Sequence, residues 1–173
     1  GLYGLSEPLT VLDAGNSGTT LRLMMGLLSP QPFLSVFSGD ASLTRRPMGR
    51  VRRPLSTMGA RIYGRNENNN LPLTIVPAEK KMHGIHYDSP VASAQVKSAI
   101  LLAGLYADAP TTVTEPYISR DHTEQMLTGV GVHLERNGTS VTVFPVEEDS
   151  FHAPSEITVP GDISSAAYFL VAG

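Results

Sequence analysis

Cysteine is absent from the 173 residues, which excludes disulfides, a thiolate nucleophile and a cysteine-ligated metal. Net positive charge is lacking as well: 13 Lys+Arg stand against 16 Asp+Glu, a formal net charge of −3. No global field draws nucleic acid or an anionic membrane to such a chain, so any anion binding must be local. Long hydrophobic runs are missing too. The longest, near LLAGLYA, falls far short of the ~20 residues that span a bilayer. The opening GLYGLSEPLT carries neither the basic nor the apolar region of a signal peptide, so a cytoplasmic chain is expected. Neither the P-loop nor the dinucleotide glycine pattern is present.

What is abundant is turn chemistry, with 16 Gly and 13 Pro, around a core that 41% hydrophobic residues can fill. Self-similarity organises it. Three times a β-like run leads through a Gly/Ser-rich turn into an apolar segment: TVLDAG-NSGTT-LRLMMGLL (10–28), GIHYDS-PVASAQ-VKSAILLAGL (84–105) and EITVPG-DISSA-AYFLVAG (156–173). The intervening stretches repeat as well. LSVFSGD (34–40) reads as a strand, and Met48, Val51, Leu55 and Met58 then fall on one helical face, closed by Gly59. Strands ARIYGR and LPLTIVP follow, separated by the turn-rich NENNN. In the second copy TTVTEP is a strand and RDHTEQMLTGVG a helix ending at Gly131. VHLER and TSVTVF form a hairpin about Asn137-Gly138. The predicted class is α/β in the α+β sense, built from repeated β-α-β-α-β-β units: two complete (8–80 and 84–146) and the start of another. The chain stops at Gly173 inside an apolar helix with no cap, which reads as a truncation.

In such units, ligands gather at strand carboxyl ends and helix amino ends, where backbone N–H groups are unpaired. NSGTT, SPVASAQ, TRRP and SRDH fall there. Five arginines crowd residues 45–53. With Pro47 at the first helical position, Arg46 occupies the N-cap, where arginine is a poor cap and its charge opposes the helix dipole. That makes it a ligand-gripping candidate. Arg50, Arg52 and Arg53 read as a solvated helix face, and Arg45 fits either role. Ser93 and Gln95 have the donors for phosphate, carboxylate or hydroxyl oxygens, or serve as simple caps. Arg120 precedes Asp121, whose spacing to Glu124 fits a capping box. His122 reads as structural or solvent-facing, and Lys97 as a surface lysine or an anion contact.

Five stretches carry a resemblance: LDAGNSGTTLRL, GDASLTRRPMGR, SPVASAQVKSAILLAG, SRDHTEQML and VPGDISSAAYFLVA. In that order they resemble the 5-enolpyruvylshikimate-3-phosphate synthases, in their glyphosate-tolerant, class II branch more than the enterobacterial one. The resemblance implies an inside-out α/β barrel, with residues 1–158 belonging to its N-terminal domain and 159–173 crossing into the remainder. It implies transfer of the enolpyruvyl group of phosphoenolpyruvate to the 5-hydroxyl of shikimate 3-phosphate, with release of phosphate. No metal or organic cofactor is implied. The expected partners are the two small-molecule substrates, with neither nucleic acid nor membrane, in an enzyme that is monomeric at full length.

Position by position, Gly18, Arg46 and Gln95 match the family's phosphoenolpyruvate contacts. Ser93, Ala94, Gln95, Ser119 and Arg120 match its shikimate 3-phosphate contacts. Ala94 stands where the enterobacterial branch has a serine, so only its backbone is available. Resistant members carry alanine at the position of Gly18, so this glycine implies glyphosate sensitivity. The family's acid and base residues have no counterpart here, so no catalytic residue is expected in this chain and no turnover by it alone. Two other readings stay open: the sister transferase acting on UDP-N-acetylglucosamine, which usually uses a cysteine, and a non-catalytic sugar-phosphate-binding module.

Overall fold

The computed structural model describes residues 4–147, 154–159 and 161–172. The first unit runs β1 (Leu12–Asp13), α1 (Gly18–Leu28), β2 (Ser35–Ser38), α2 (Gly49–Thr57), β3 (Arg61–Gly64) and β4 (Asn70–Val76). A short segment, α3 (Arg65–Asn68), joins β3 to β4. The second unit repeats the order with β5 (His86–Asp88), α4 (Ala94–Gly104), β6 (Thr111–Thr114), α5 (His122–Gly129), β7 (Leu134–Asn137) and β8 (Ser140–Val143). Beyond it stands α6 (Ile163–Ala172).

The two units share one topology. Their sheets are ordered β1-β2-β4-β3 and β5-β6-β8-β7. In each, the first two strands pair in parallel and the others antiparallel. The parallel step needs a crossover helix, supplied by α1 and α4. The mixed α/β class and both predicted units are therefore present. Gly59 and Gly131, at φ +104° and +90°, end α2 and α5 where a side chain would be strained. The third repeat is incomplete. Residues 156–159, expected as a strand, have no strand structure. A strand needs a neighbour for its backbone groups, and among the described residues none runs beside it. The helix after it does form, with Ile163, Tyr168, Phe169, Leu170 and Val171 all exposed.

Strand alternation sorts the core from the surface. Leu71, Leu73 and Ile75 of β4, Phe37 of β2, Val113 of β6 and Val141 and Val143 of β8 all point inward. The predicted stripe of α2 is fully buried: Met48, Val51, Leu55 and Met58 are each 0% exposed. Both units contribute to one continuous apolar cluster, and each large side chain in it is worth about 1.5–3 kcal/mol in transfer free energy.

The units join where α1 packs on α4. Gly26 permits this crossing: a Cβ there would fall 2.7 Å from the Ala99 Cα and carbonyl carbon, and nearer still to the carbonyl oxygen. The glycine is thus a packing requirement. Close approach of the two helices also brings their N-terminal turns together, and the candidate site lies there.

Candidate functional site

At the start of α1, Ser17 is the N-cap and its Oγ accepts from Thr20 N at 3.1 Å. Gly18 opens the helix and is buried. One turn on, Arg22 reaches across to α4, donating from Nη1 to Gln95 Oε1 at 2.6 Å. Gln95 Nε2 in turn donates to Thr19 Oγ1 at 2.7 Å. Gln95 is therefore held by two residues of α1, Thr19 and Arg22, with its amide orientation fixed by both bonds.

Arg46 joins the same surface by another route. It is not the N-cap of α2, as the position of Pro47 predicted. A 3-10 turn (Leu43–Arg45) runs up to Arg46, Met48 takes the cap position, and α2 starts at Gly49. The cap is supplied from far along the chain: Asn69 Oδ1 accepts from Gly49 N at 2.6 Å, and Asn69 O accepts from Met48 N at 2.8 Å. Asn70 Nδ2 also donates to the carbonyls of Thr44 and Arg46, at 3.2 and 3.3 Å. The run NENNN, legible only as a turn, thus braces the backbone that carries Arg46. Three of its residues, Asn66, Glu67 and Asn68, hold positive φ of 48°, 57° and 65°, a conformation asparagine tolerates better than most residues.

The Arg46 guanidinium is aimed by side chains. Its Nη2 donates to Asn16 Oδ1 at 2.9 Å and to Ser42 Oγ at 3.3 Å, and Asn16 donates to Asp40. The Asn16 amide, and after it the Leu43 N–H, hold the Asp40 carboxyl below its ordinary range. Arg22 and Arg46 converge on Gly18: a Cβ there would lie 3.0 Å from Arg22 Nη1 and 3.5 Å from Arg46 Nη1. Burial, then the charges of Arg46 and Arg50, pull the Arg22 guanidinium below its ordinary value. Among the described residues neither Arg22 nor Arg46 has a carboxylate ion pair. Two guanidiniums gathered beside a helix N-terminus without a carboxylate ion pair favour an incoming anion.

The second unit adds a pocket of about 400 Å³ lined by Ala92, Ser93, Ala94, Gln95, Ser119 and Arg120. Ser93 is the N-cap of α4, yet its side chain makes no capping bond. Ala94 is the first helical residue, offering its backbone N–H. Arg120 is exposed on the loop before α5 and forms no ion pair among the described residues. Five of the seven residues predicted as substrate contacts therefore line this pocket, and Gly18 and Arg46 connect to it through Arg22, which both approach and which bonds Gln95.

Two local readings are corrected. The capping box does not form: Asp121 sits at the N-cap without a capping bond, accepting instead from Gln125 Nε2 at 2.7 Å and Arg136 Nη1 at 3.0 Å. Lys97 is neither a surface lysine nor an anion contact. It is 2% exposed and lies 3.1 Å from Glu115 and 2.7 Å from Glu124, each also 2% exposed. Long-range charge pairing outweighed both local patterns. His122 is exposed, as expected. Arg50 and Arg53 are exposed, but Arg52 is half-buried with an unpartnered Nε, so the solvated face is smaller than the spacing suggested. Arg22 was the residue missed. Its signal was the i,i+4 spacing from Gly18, which places both on one helix face.

Repeated β-α-β-α-β-β units whose helix N-termini carry guanidiniums without carboxylate ion pairs define an α/β protein with a surface suited to small anions. The chain belongs to a particular family of that description: the EPSP synthase (3-phosphoshikimate 1-carboxyvinyltransferase) family model matches residues 2–173. The 3-phosphoshikimate 1-carboxyvinyltransferase of Desulforudis audaxviator is 58% identical over 99% of this chain, and that of Bacillus thuringiensis 57% identical over 100%. The chain spans 39% of the length of each. Among solved structures, EPSP synthase from Acinetobacter baumannii superposes with a TM-score of 0.88 at 47% identity, over 99% of this chain and 38% of that one.

Proposed function

We propose that this chain carries the anion-binding face of a 3-phosphoshikimate 1-carboxyvinyltransferase, an enzyme of the shikimate route to chorismate and the aromatic amino acids. The observation that carries the reading is the convergence of Arg22, Arg46 and Gly18 on one side of Gln95, with Ser93, Ser119 and Arg120 on the other. On the first side, guanidinium forks suit the carboxylate and phosphate of phosphoenolpyruvate. On the second, the α4 N-terminus, the two serines and Arg120 suit the phosphate and hydroxyls of shikimate 3-phosphate. Gln95 lies between them, so the 5-hydroxyl and the enol carbon can meet beside its amide.

In the reaction the 5-hydroxyl gives up its proton to a base as its oxygen bonds to C2 of phosphoenolpyruvate, and a proton is added at C3. The tetrahedral adduct then loses that proton equivalent and expels phosphate. The residues of this chain bind and orient both substrates. Proton transfer falls to groups elsewhere in a complete transferase, so this chain alone gives no turnover. The same reading takes the complete enzyme as a cytoplasmic monomer with small-molecule substrates only. The net charge of −3 supports the exclusion of nucleic acid as a partner, and among the described residues no helix is long and apolar enough to cross a membrane.

The test is phosphate release from phosphoenolpyruvate by the complete transferase that includes this chain. Release that depends on shikimate 3-phosphate is expected, and release indifferent to it refutes the reading. Turnover by the purified 173-residue chain, free of any full-length enzyme, would show that its own residues suffice for proton transfer.

A further inference from the structure

Behind the pocket wall lies a buried charged cluster that the proposed chemistry does not use directly. Lys97, Glu115 and Glu124 are each 2% exposed, with the lysine between the two carboxylates. Stability is a weak explanation for such a cluster, because apolar residues of similar volume often serve as well or better.

The other contacts of Glu115 give a stronger one. Its Oε1 accepts from the backbone N–H of Ser93 at 2.7 Å, and its Oε2 accepts from Ser119 Oγ at 2.7 Å. Those serines come from different elements, one at the cap of α4 and the other on the loop after β6, and both line the same pocket. One carboxylate therefore sets the distance between two walls. Glu115 is not part of the lining itself. Gripping Ser93 through its N–H also leaves the Ser93 hydroxyl without an intramolecular partner among the described residues, free for a ligand. Lys97, one turn into α4, holds the carboxylate at 3.1 Å from behind. Three donors on two oxygens leave Glu115 a single orientation. Burial pushes its carboxyl up, but the bonds from Ser119, Ser93 and Lys97 outweigh that and keep it ionised as an acceptor.

We propose that Glu115, braced by Lys97, is a positioning residue for the sugar-phosphate pocket, fixing Ser93 and Ser119 in place before ligand arrives. This rests on the reading of that pocket as the shikimate 3-phosphate site. Glu124 provides the internal control. It is buried on the same lysine but touches neither serine.

The experiment is steady-state kinetics of the complete transferase with Glu115→Gln, Glu115→Asp, Glu124→Gln and Arg120→Ala, each checked for a cooperative thermal transition. Glu115→Gln is expected to raise KM for shikimate 3-phosphate about tenfold, with kcat and KM for phosphoenolpyruvate within about threefold. Glu124→Gln is expected to stay within about twofold in every constant. Glu115→Asp keeps the charge beside Lys97 but withdraws the oxygens by one methylene, and is expected to raise the same KM about fivefold even if Glu115→Gln fails to fold. Parent-like constants in Glu115→Asp overturn the proposal, as do equal effects of Glu115→Gln and Glu124→Gln or a parallel loss of every constant. Arg120→Ala separates the two levels. If it leaves KM for shikimate 3-phosphate unchanged, the pocket reading falls and the proposal with it. If it raises that KM while the Glu115 variants do not, only the positioning role falls.

Discussion

Replacing Gly26 by alanine tests whether the helix crossing sets the site. The new Cβ would meet the Ala99 Cα and carbonyl carbon at 2.7 Å, against an ordinary contact limit of 3.4 Å, and would sit closer still to the carbonyl oxygen. Backbone atoms cannot rotate away, so α1 and α4 must part by roughly 1 Å. Overpacking of this kind costs about 1–3 kcal/mol. Higher helix propensity of alanine returns up to about 1 kcal/mol, leaving a net loss of up to about 2 kcal/mol. In a chain of this size that lowers Tm by up to about 8 °C. Chemical denaturation followed by circular dichroism reads the loss directly. The functional consequence is sharper. Arg22–Gln95, at 2.6 Å and one turn away on both helices, would stretch past the ~3.2 Å limit of a good N–H···O bond. The complete transferase should then show a raised KM for phosphoenolpyruvate even at temperatures where the variant is fully folded. An alanine variant at least as stable as the parent would refute the packing argument.

Further outcomes follow from the same geometry. Alanine at Gly18 presses on Arg22 Nη1 at 3.0 Å and fills the space beside Arg46 Nη1, at an ordinary contact distance of 3.5 Å. The parent enzyme should be inhibited by millimolar glyphosate and Gly18→Ala markedly less so, whereas equal inhibition would contradict the convergence of the two arginines. Arg53→Ala, on the exposed face of α2, should leave phosphoenolpyruvate kinetics within about twofold, and a loss as severe as that of Arg46→Ala would erase the distinction between them. Glu115 titrates below its ordinary value in the fold, because its three donors outweigh its burial. Its contribution is complete above the unfolded value of about 4.3 and is lost as pH falls through the lower folded value. The stability gap between parent and Glu115→Gln, measured by urea unfolding, should therefore shrink below about pH 4. Parallel curves would show that Glu115 keeps no such advantage.

The parts of this molecule legible in its sequence are those governed by short-range periodicity. Alternation in LSVFSGD and LPLTIVP, the stripe from Met48 to Met58 and the glycines at helix ends are properties of neighbouring residues, and all formed as read. What was not legible depends on residues far apart. Arg46 was misplaced because the cap of α2 comes from Asn69, twenty residues away. The Asp121–Glu124 box was locally reasonable, but Arg136 and Lys97 compete for those carboxylates across the fold. Lys97 read as a surface lysine or an anion contact because nothing nearby in the sequence announces Glu115. The candidate site was legible as four segments at the right ends of strands. The bond from Arg22 to Gln95 became visible only once α1 lay against α4, and the Glu115 cluster only once α4, the loop after β6 and α5 packed together. The strand expected at 156–159 needed a neighbour that the described residues do not provide.

The central claim is that Gln95 divides one cleft into a phosphoenolpyruvate side held by Arg46 and a shikimate 3-phosphate side held by Arg120. Full two-substrate kinetics of Arg46→Ala and Arg120→Ala in the complete transferase test it most directly. The account predicts a crossed result. Arg46→Ala should raise KM for phosphoenolpyruvate by more than about tenfold while moving KM for shikimate 3-phosphate by less than about threefold, and Arg120→Ala should do the reverse. Two variants that shift the same constant, or neither, would contradict it.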